Sequence, residues 1–247
     1  MRESVRHVFH DFSAPLEGRE LRFMYLDSAE PKAFVTTATG CLIDPLSMAI
    51  GLPWMRPDGV AASKAEIACC WSLVKGRQDL KRHGGMIFDR LAGNTLRLTP
   101  EGARNIVDKR LTWFDAALAS KFVGWSEWPA MAQLALLSWA WAVGANARYP
   151  RMIAALRAGD FLGAALECTV NPRRGTIVTR NTRNRILLRN AARTRDLHLD
   201  PDAIDWETDW EEEAQRIQDM TPTLPELPAA EESPRYCGGD EPPDDVA

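Results

Sequence analysis

The chain has 247 residues, of which 45% are hydrophobic and 26% are charged, a balance typical of a soluble globular protein with a real core. Its longest apolar run, from Leu134 to Val143, is too short to cross a bilayer. The first residues, MRESVRHVFHDF, carry charge throughout and lack the apolar stretch of a signal peptide. We therefore expect a protein made in the cytoplasm with no membrane span.

The charge is distributed unevenly along the chain. Residues 201–247 contain fifteen Asp and Glu against two Arg, whereas residues 1–200 have a net charge of about +9. A basic body favours a polyanionic partner. Charge alone does not decide whether that partner is nucleic acid or the bacterial wall. The acidic segment contains seven prolines and is predicted to be disordered from about residue 201, with one acidic helix between Trp206 and Met220.

The first region, to about residue 41, is predicted to open with a short helix and continue with a hairpin. Its two β-prone runs are RELRFMYL, residues 19–26, and AFVTTATG, residues 33–40. After a stretch rich in Pro and Gly, Ser63 and Glu66 have the spacing of a capping box, which predicts the start of another helix.

The second region is predicted to be helical from about residue 98. Thr99 and Pro100 mark a helix start, because Thr caps a first turn and Pro fits its first position. The segment from Met131 to Val143 is apolar all round and predicts a helix buried at the centre of a bundle. Two shorter helices follow on either side of Gly159, and the Arg-rich sequence TRNTRNRILLRNAARTRD, residues 179–196, closes the body.

Carboxyl groups around the predicted hairpin suggest glycosidase chemistry. Hydrolysis of a glycosidic bond needs one carboxylic acid to protonate the leaving oxygen and a second group to manage the water. Glu17 precedes the hairpin, Asp27 ends its first strand, and Thr36 and Thr37 lie on its second strand. Asp27 is equally explained as a turn-forming residue, since Asp side chains bond to nearby backbone in turns.

These elements resemble the phage-type lysozymes. The matching motifs are Glu17-Gly18 at the end of the first helix, Tyr25-Leu26-Asp27 at the end of the first strand, and the Thr-Thr-Ala-Thr-Gly run from Thr36 to Gly40. Residues 98–118 resemble the family's long inter-lobe helix, and residues 136–167 resemble its buried helix and the helix pair that follows. The resemblance covers about residues 5–195, with residues 42–97 as an insertion.

The resemblance implies an α+β, mainly α fold with a small hairpin lobe and a helical bundle. The implied catalytic domain spans residues 1–200, divided into a hairpin lobe to about 41, the insertion at about 42–97 and a helical lobe from about 98, and the acidic tail spans residues 201–247. The implied activity is inverting hydrolysis of the β-1,4 bond between N-acetylmuramic acid and N-acetylglucosamine in peptidoglycan. Glu17 would be the general acid and Asp27 with Thr36 would hold the water, while Thr37, Arg183 and Arg185 would bind substrate.

No cofactor is expected. His7 and His10 share one predicted helix face, but four histidines in the chain and no nearby set of carboxylates argue against a metal site.

Three alternatives stay open. A lytic transglycosylase on the same fold would not need Asp27. A non-catalytic wall-binding or structural module would fit the altered Thr-Thr-Ala-Thr-Gly run, in which Ala38 stands where the family usually has Gly; Cys41 also departs from the family, which commonly has His there. Nucleic-acid binding would use a phosphate track of arginines, but no aromatic side chains interleave with them: Arg173, Arg174, Arg180, Arg183, Arg185, Arg189, Arg193 and Arg195.

The expected setting follows from the substrate. A wall hydrolase made in the cytoplasm must be delivered to the wall or periplasm, either as a phage endolysin or as an antibacterial effector of a secretion system. The acidic tail is a candidate contact for an immunity protein or a delivery partner.

Overall fold

The computed structural model describes residues 1–18, 20–27, 31–170 and 176–210, together with residues 212, 213 and 216. Helices dominate these ranges. The α-helices are α1 (Glu3–Glu17), α2 (Leu46–Ile50), α3 (Lys64–Gly76), α4 (Pro100–Lys121), α5 (Ala130–Val143), α6 (Pro150–Arg157), α7 (Phe161–Glu167) and α8 (Thr176–Asp196). Short 3-10 helices cover Gln78–Leu80, Gly85–Arg90 and Trp125–Glu127. The strands are β1 (Leu21–Leu26), β2 (Val35–Ala38), β3 (Cys41–Leu42), β4 (Trp54–Met55) and β5 (Arg97–Leu98).

The predicted hairpin is confirmed, and a third strand extends it. β1 pairs antiparallel with β2, with Tyr25 opposite Thr36, and β2 pairs antiparallel with β3, with Thr37 opposite Cys41. Burial alternates only in part along β1 and is complete along β2, the central strand, which both α3 and α4 contact. The predicted boundary at residues 41 and 42 therefore falls inside β3.

Residues 42–97 pack against this sheet. The helix predicted at Ser63 is present: the Ser63 hydroxyl accepts a hydrogen bond from Glu66 N at 3.3 Å, and the Glu66 carboxylate accepts one from Ser63 N at 2.7 Å. The resulting helix, α3, contacts both β1 and β2, and the 3-10 helix Gly85–Arg90 contacts β1. The segment that the resemblance treats as an insertion therefore belongs to the same packed unit as the hairpin.

The helical predictions for the second region are confirmed. The Thr99 hydroxyl accepts a hydrogen bond from Gly102 N at 2.9 Å and so caps α4. Every residue of α5 from Ala130 to Trp141 is buried, and α8 packs along it. Gly159 adopts a φ of 73° between α6 and α7, a left-handed conformation that glycine reaches without a steric penalty.

Residues 201–210 pack on the body, which the acidic composition of this segment does not predict. The ring of Trp206 meets that of Phe12 at 5.4 Å between centroids, and Asp209 pairs with Arg189 at 2.8 Å. The first compact unit accordingly spans Met1–Glu211 rather than ending at about residue 200, and a second unit spans Glu212–Ala247. Residues 206–209 are not helical, and most of the predicted acidic helix and tail lies outside the described residues.

The fold is therefore α+β and mainly α, with a small antiparallel sheet near the N-terminus and a helical body, as the sequence predicts. Among the helices of the described ranges, none is long and apolar enough to cross a membrane. The lysozyme-like two-lobed arrangement remains a prediction.

Candidate active site

Helix α1 carries Glu17 to the point where the chain turns into the sheet. Its buried residues Val5, Phe9, Phe12 and Leu16 follow the helical period and fix one face of α1 in the core. Gly18 ends the helix with a φ of 76°, which favours glycine because a Cβ there would be strained. Glu17, the last helical residue, follows directly after buried Leu16, so its carboxyl lies at the edge of the core.

The carboxyl of Glu17 forms an ion pair with Arg180 of α8. Arg180 Nη2 donates to Glu17 Oε1, and the exposed fractions of the two side chains are 2% for Arg180 and 17% for Glu17. Arg180 is also held from α5, since its Nη1 donates to the carbonyl of Ser138 at 2.7 Å and to the Ser138 hydroxyl at 3.2 Å. The acid is thus anchored by a buried cation that has its own supports.

Burial raises the pKa of the Glu17 carboxyl above its ordinary value. Removing a carboxylate from water disfavours its charged form. The charge and hydrogen bond of Arg180, and more weakly the charge of Arg110, lower this pKa but do not cancel the effect of burial. The group therefore holds its proton at a higher pH than an exposed Glu does.

The hairpin covers the other side of Glu17. A Cβ placed on Gly40 would lie 3.8 Å from Glu17 Oε2, so the turn between β2 and β3 approaches the carboxyl closely. The hydroxyl of Tyr25 accepts a hydrogen bond from Gly40 N at 3.0 Å, and Trp141 Nε1 donates to the carbonyl of Thr39 at 3.2 Å. Burial raises the pKa of the Tyr25 hydroxyl to about 12, so this group stays protonated near neutral pH.

Asp27 has a local role in the hairpin. Its Oδ1 accepts a hydrogen bond from Phe34 N at 2.9 Å, and its own backbone N–H donates to the carbonyl of Phe34 at 3.1 Å. These bonds close the end of the β1–β2 hairpin, which is the turn-forming role that its sequence position also allows.

The two threonines of β2 both use their hydroxyls within the hairpin. Thr36 Oγ1 donates to the carbonyl of Tyr25 at 3.2 Å, and Thr37 Oγ1 donates to the carbonyl of Leu21 at 3.4 Å. Thr36 is buried, and Thr37 has an exposed fraction of 0%. In this structure Thr37 therefore offers no surface to a substrate, contrary to the binding role that the resemblance implies for it.

The arginines predicted to bind substrate lie on α8 beyond Arg180, and both are partly buried. Arg183 Nη1 donates to the carbonyl of Phe12 at 3.3 Å, and its guanidinium lies 5.7 Å from the ring centroid of Phe12. Arg185 acts electrostatically on the buried thiol of Cys168. Arg183 thus packs on α1, the helix that carries Glu17, whereas Arg185 lies near Cys168.

No group of three or more potential metal ligands occurs in the described parts of the chain. His10 instead pairs with Asp108 of α4 through Nε2 and Oδ1 at 2.7 Å, while His7 lies beside Glu3 on the exposed face of α1. Arg173 and Arg174, named for the phosphate track, lie outside the described residues.

Comparison with known proteins identifies no relatives. No protein-family model, curated protein or solved structure matches the chain. The case for a function therefore depends on the residues around Glu17. Two of these residues, Arg180 and Arg110, were not assigned to the site from the sequence. The signal for Arg180 is its helical spacing from Leu187 and Leu188, seven and eight residues later, which places it on the buried face of α8. A charged residue on such a face needs a partner.

Proposed function

We propose that the chain is a peptidoglycan glycoside hydrolase that cleaves the β-1,4 bond between N-acetylmuramic acid and N-acetylglucosamine. The observation that carries the proposal is the environment of Glu17. Its carboxyl is largely buried, has a raised pKa, borders the hairpin turn and is held by Arg180. A glycosidic oxygen leaves readily only when it is protonated, and an acid with a raised pKa can supply that proton at a higher pH than an exposed Glu can.

The contacts of Glu17 suit both stages of proton delivery. Before transfer, burial favours the protonated carboxyl. After transfer, the guanidinium of Arg180 stabilises the new carboxylate through a charge-assisted hydrogen bond. Because Ser138 holds Arg180 in place, little reorganisation accompanies the change of charge, and this lowers the barrier.

In the proposed inverting mechanism, Asp27 and Thr36 position the attacking water. Such a mechanism requires roughly 6.5 to 9.5 Å between the two carboxyl groups, so that a water fits beside the sugar. The bond from Phe34 N fixes the orientation of the Asp27 carboxylate, which a positioning group requires.

A second candidate is a lytic transglycosylase, in which a hydroxyl of the glycan itself attacks and no second carboxylate is needed. The observation that favours it is the same Asp27–Phe34 bond, because hairpin closure alone explains Asp27 without any catalytic role. Either activity would require delivery of the protein to the wall by a phage or a secretion system.

The test is product analysis on purified peptidoglycan. New reducing ends identify the hydrolase, anhydro-sugar ends identify the transglycosylase, and the absence of products contradicts both. Glu17→Gln should lower the cleavage rate about 100- to 10,000-fold, because Gln cannot deliver a proton. The wild-type rate should fall as the pH rises through the raised pKa of Glu17, since only the protonated form is active.

The matched control is Glu20→Gln. Glu20 is exposed, and its carboxylate lies 4.0 Å from Arg22, a contact too long and too solvated to matter much. Its variant should cleave at the wild-type rate. Full activity in Glu17→Gln would exclude both candidate enzymes.

A further inference from the structure

A cavity of about 570 Å³ lies between the middle of α4 and the segment that runs from β3 through α2. Most of its wall is apolar, with side chains from that segment and from α4: Leu42, Ile43, Met48, Leu52, Ile106 and Trp113. Met48 and Trp113 are 47% and 57% exposed, so the cavity opens to solvent. An open concavity with apolar walls and a few charged groups is the usual form of a ligand site.

Two cations lie in the same wall, Lys109 and Arg110 of α4. Among the residues that the structure describes, neither side chain has a carboxylate within ion-pairing distance, and Arg110 Nε is buried without a hydrogen-bond partner. The guanidinium of Arg110 lies over the rings of Phe114 and Trp141, at 5.2 Å and 5.5 Å from their centroids. The rings hold its flat face and leave its donors unused, which suits it to an anion in the plane of the guanidinium.

The cavity adjoins the candidate acid. Cys41 lines it, and Gly40, the preceding residue, is the point where the hairpin turn approaches Glu17. Arg110 connects the two places electrostatically, because its charge acts on Glu17. A ligand in the cavity would therefore lie beside the hairpin turn that approaches Glu17.

We propose that this cavity binds the carboxylate-bearing peptide arm of the wall polymer, with its apolar side chains against Met48 and Trp113 and its carboxylate on Arg110 and Lys109. This inference rests on the proposed function, since it assigns a place to the second component of the same substrate. The glycan itself matches the cavity less well, because uncharged sugar rings would leave the two cations without an anion. A short peptide with methyl side chains and a carboxylate matches both the apolar wall and the two cations.

The experiment measures binding without turnover, in full-length protein that carries Glu17→Gln. Calorimetry compares three probes: N-acetylmuramyl-L-alanyl-D-isoglutamine as the free acid, the same compound with its carboxylate amidated, and the uncharged tetramer of N-acetylglucosamine. The free acid should bind at least about tenfold more tightly than the amide, since only the acid forms a charge-assisted bond with Arg110. The tetramer should not compete with the free acid for the cavity.

Variants locate the site. Arg110→Gln should weaken binding of the free acid at least about tenfold, and Lys109→Gln about threefold, as expected for a more solvated charge. Arg104→Gln is the matched control, because Arg104 is an exposed cation of α4 outside the cavity. Met48→Glu places a carboxylate in the cavity wall, which repels the carboxylate of the ligand and competes for the two cations, and it should abolish binding. Met86→Glu alters a similarly exposed Met elsewhere and should not.

Equal affinity for the acid and the amide would overturn the inference, as would wild-type affinity in both Lys109→Gln and Met48→Glu. The outcome is separable from that of the proposed function. If wild-type protein cleaves the wall but these variants do not change binding, the peptide site is contradicted and the proposed hydrolase is not. Specific binding of the free acid without any cleavage supports the site and removes the hydrolase.

Discussion

Two carboxyl groups at opposite ends of the first strand differ in how they are held. Glu17 is paired with Arg180, a partner 163 residues away on α8, and is largely buried. Asp27 is bonded to Phe34, a partner seven residues away in the same hairpin. The hydrogen bonds between Asp27 and Phe34 form within one hairpin, whereas the contacts of Glu17 require three distant helices to meet.

The difference separates a carboxylate held within one hairpin from a carboxylate held by long-range contacts. A buried charge pair stabilises a fold little, because desolvation offsets its attraction. When a chain nevertheless buries an acid against a well-supported cation beside a hairpin turn, a functional role is a reasonable hypothesis to test.

The largest expected effect concerns the two acids themselves. If the enzyme is an inverting hydrolase, Asp27→Asn should reduce cleavage on the same scale as Glu17→Gln, roughly 100-fold or more, because both groups act in the reaction. If it is a transglycosylase, Asp27→Asn should remain within about threefold of wild type, since the turn bond survives in Asn. Reducing-end release at a fixed pH measures both. A more severe defect in Asp27→Asn than in Glu17→Gln would reverse the contrast.

The next effect concerns stability. Arg180→Met should lower the free energy of unfolding by about 3 to 5 kcal/mol, because it leaves the carboxyl of Glu17 buried without its cation. Denaturant unfolding measures this, and the double variant Arg180→Met/Glu17→Leu should recover part of the loss. Arg6→Met is the control, since Arg6 lies 4.0 Å from exposed Glu3 and should change stability by less than about 0.5 kcal/mol. Equal effects at the two arginines would contradict the buried-pair interpretation.

Residues 201–210 offer a comparable test of long-range packing. A chain that ends at residue 200 should be less stable by about 2 to 4 kcal/mol than one that ends at residue 211, because it loses the contact of Trp206 with Phe12 and the Arg189–Asp209 pair. Thermal melts of the two truncated chains make the comparison. Coincident melts would show that the segment is a dispensable tail after all.

The smallest expected effect lies within the hairpin. Ala38 adopts a φ of 51°, in the left-handed region where a Cβ is strained, and it stands where the resembled family has Gly. Ala38→Gly should therefore raise the free energy of unfolding by up to about 1 kcal/mol, because it relieves the backbone strain. The gain is partly offset because glycine also increases the entropy of the unfolded chain. Ala33→Gly, at a buried position with no left-handed φ, should lower it instead. A loss of stability in Ala38→Gly would mean that its methyl packing outweighs the strain.

The sequence predicts the parts of this structure that are encoded locally. Ser63 with Glu66, Thr99 with Pro100, and Gly159 each act within one turn of chain, and the structure confirms the helix boundaries they mark. The sequence also identifies Glu17 as the acid to examine, although through a resemblance and not through its environment.

The remaining features depend on contacts that sequence spacing does not encode. Arg180 is one of eight arginines between residues 173 and 195, and Arg183 and Arg185 were the ones predicted to bind substrate. Only packing of α8 on α5 decides which arginine points inward. The composition of residues 201–247 as a whole predicts disorder, and this average hides Trp206 and Trp210. Tryptophan side chains usually pack against other residues, so these two indicate where the segment contacts the body.

The separation of 163 residues between Glu17 and Arg180 also sets the order of events during synthesis. At ordinary translation rates, the ribosome needs on the order of ten seconds or more to make the residues that follow Glu17 up to Arg180. Throughout that time the carboxyl of Glu17 lacks its cation, and α8 is absent from the surface of α5. An incomplete chain that ends before Thr176 therefore carries the acid without the site. On the proposed function, the cell that makes the protein holds no finished enzyme until the chain through Arg180 has left the ribosome.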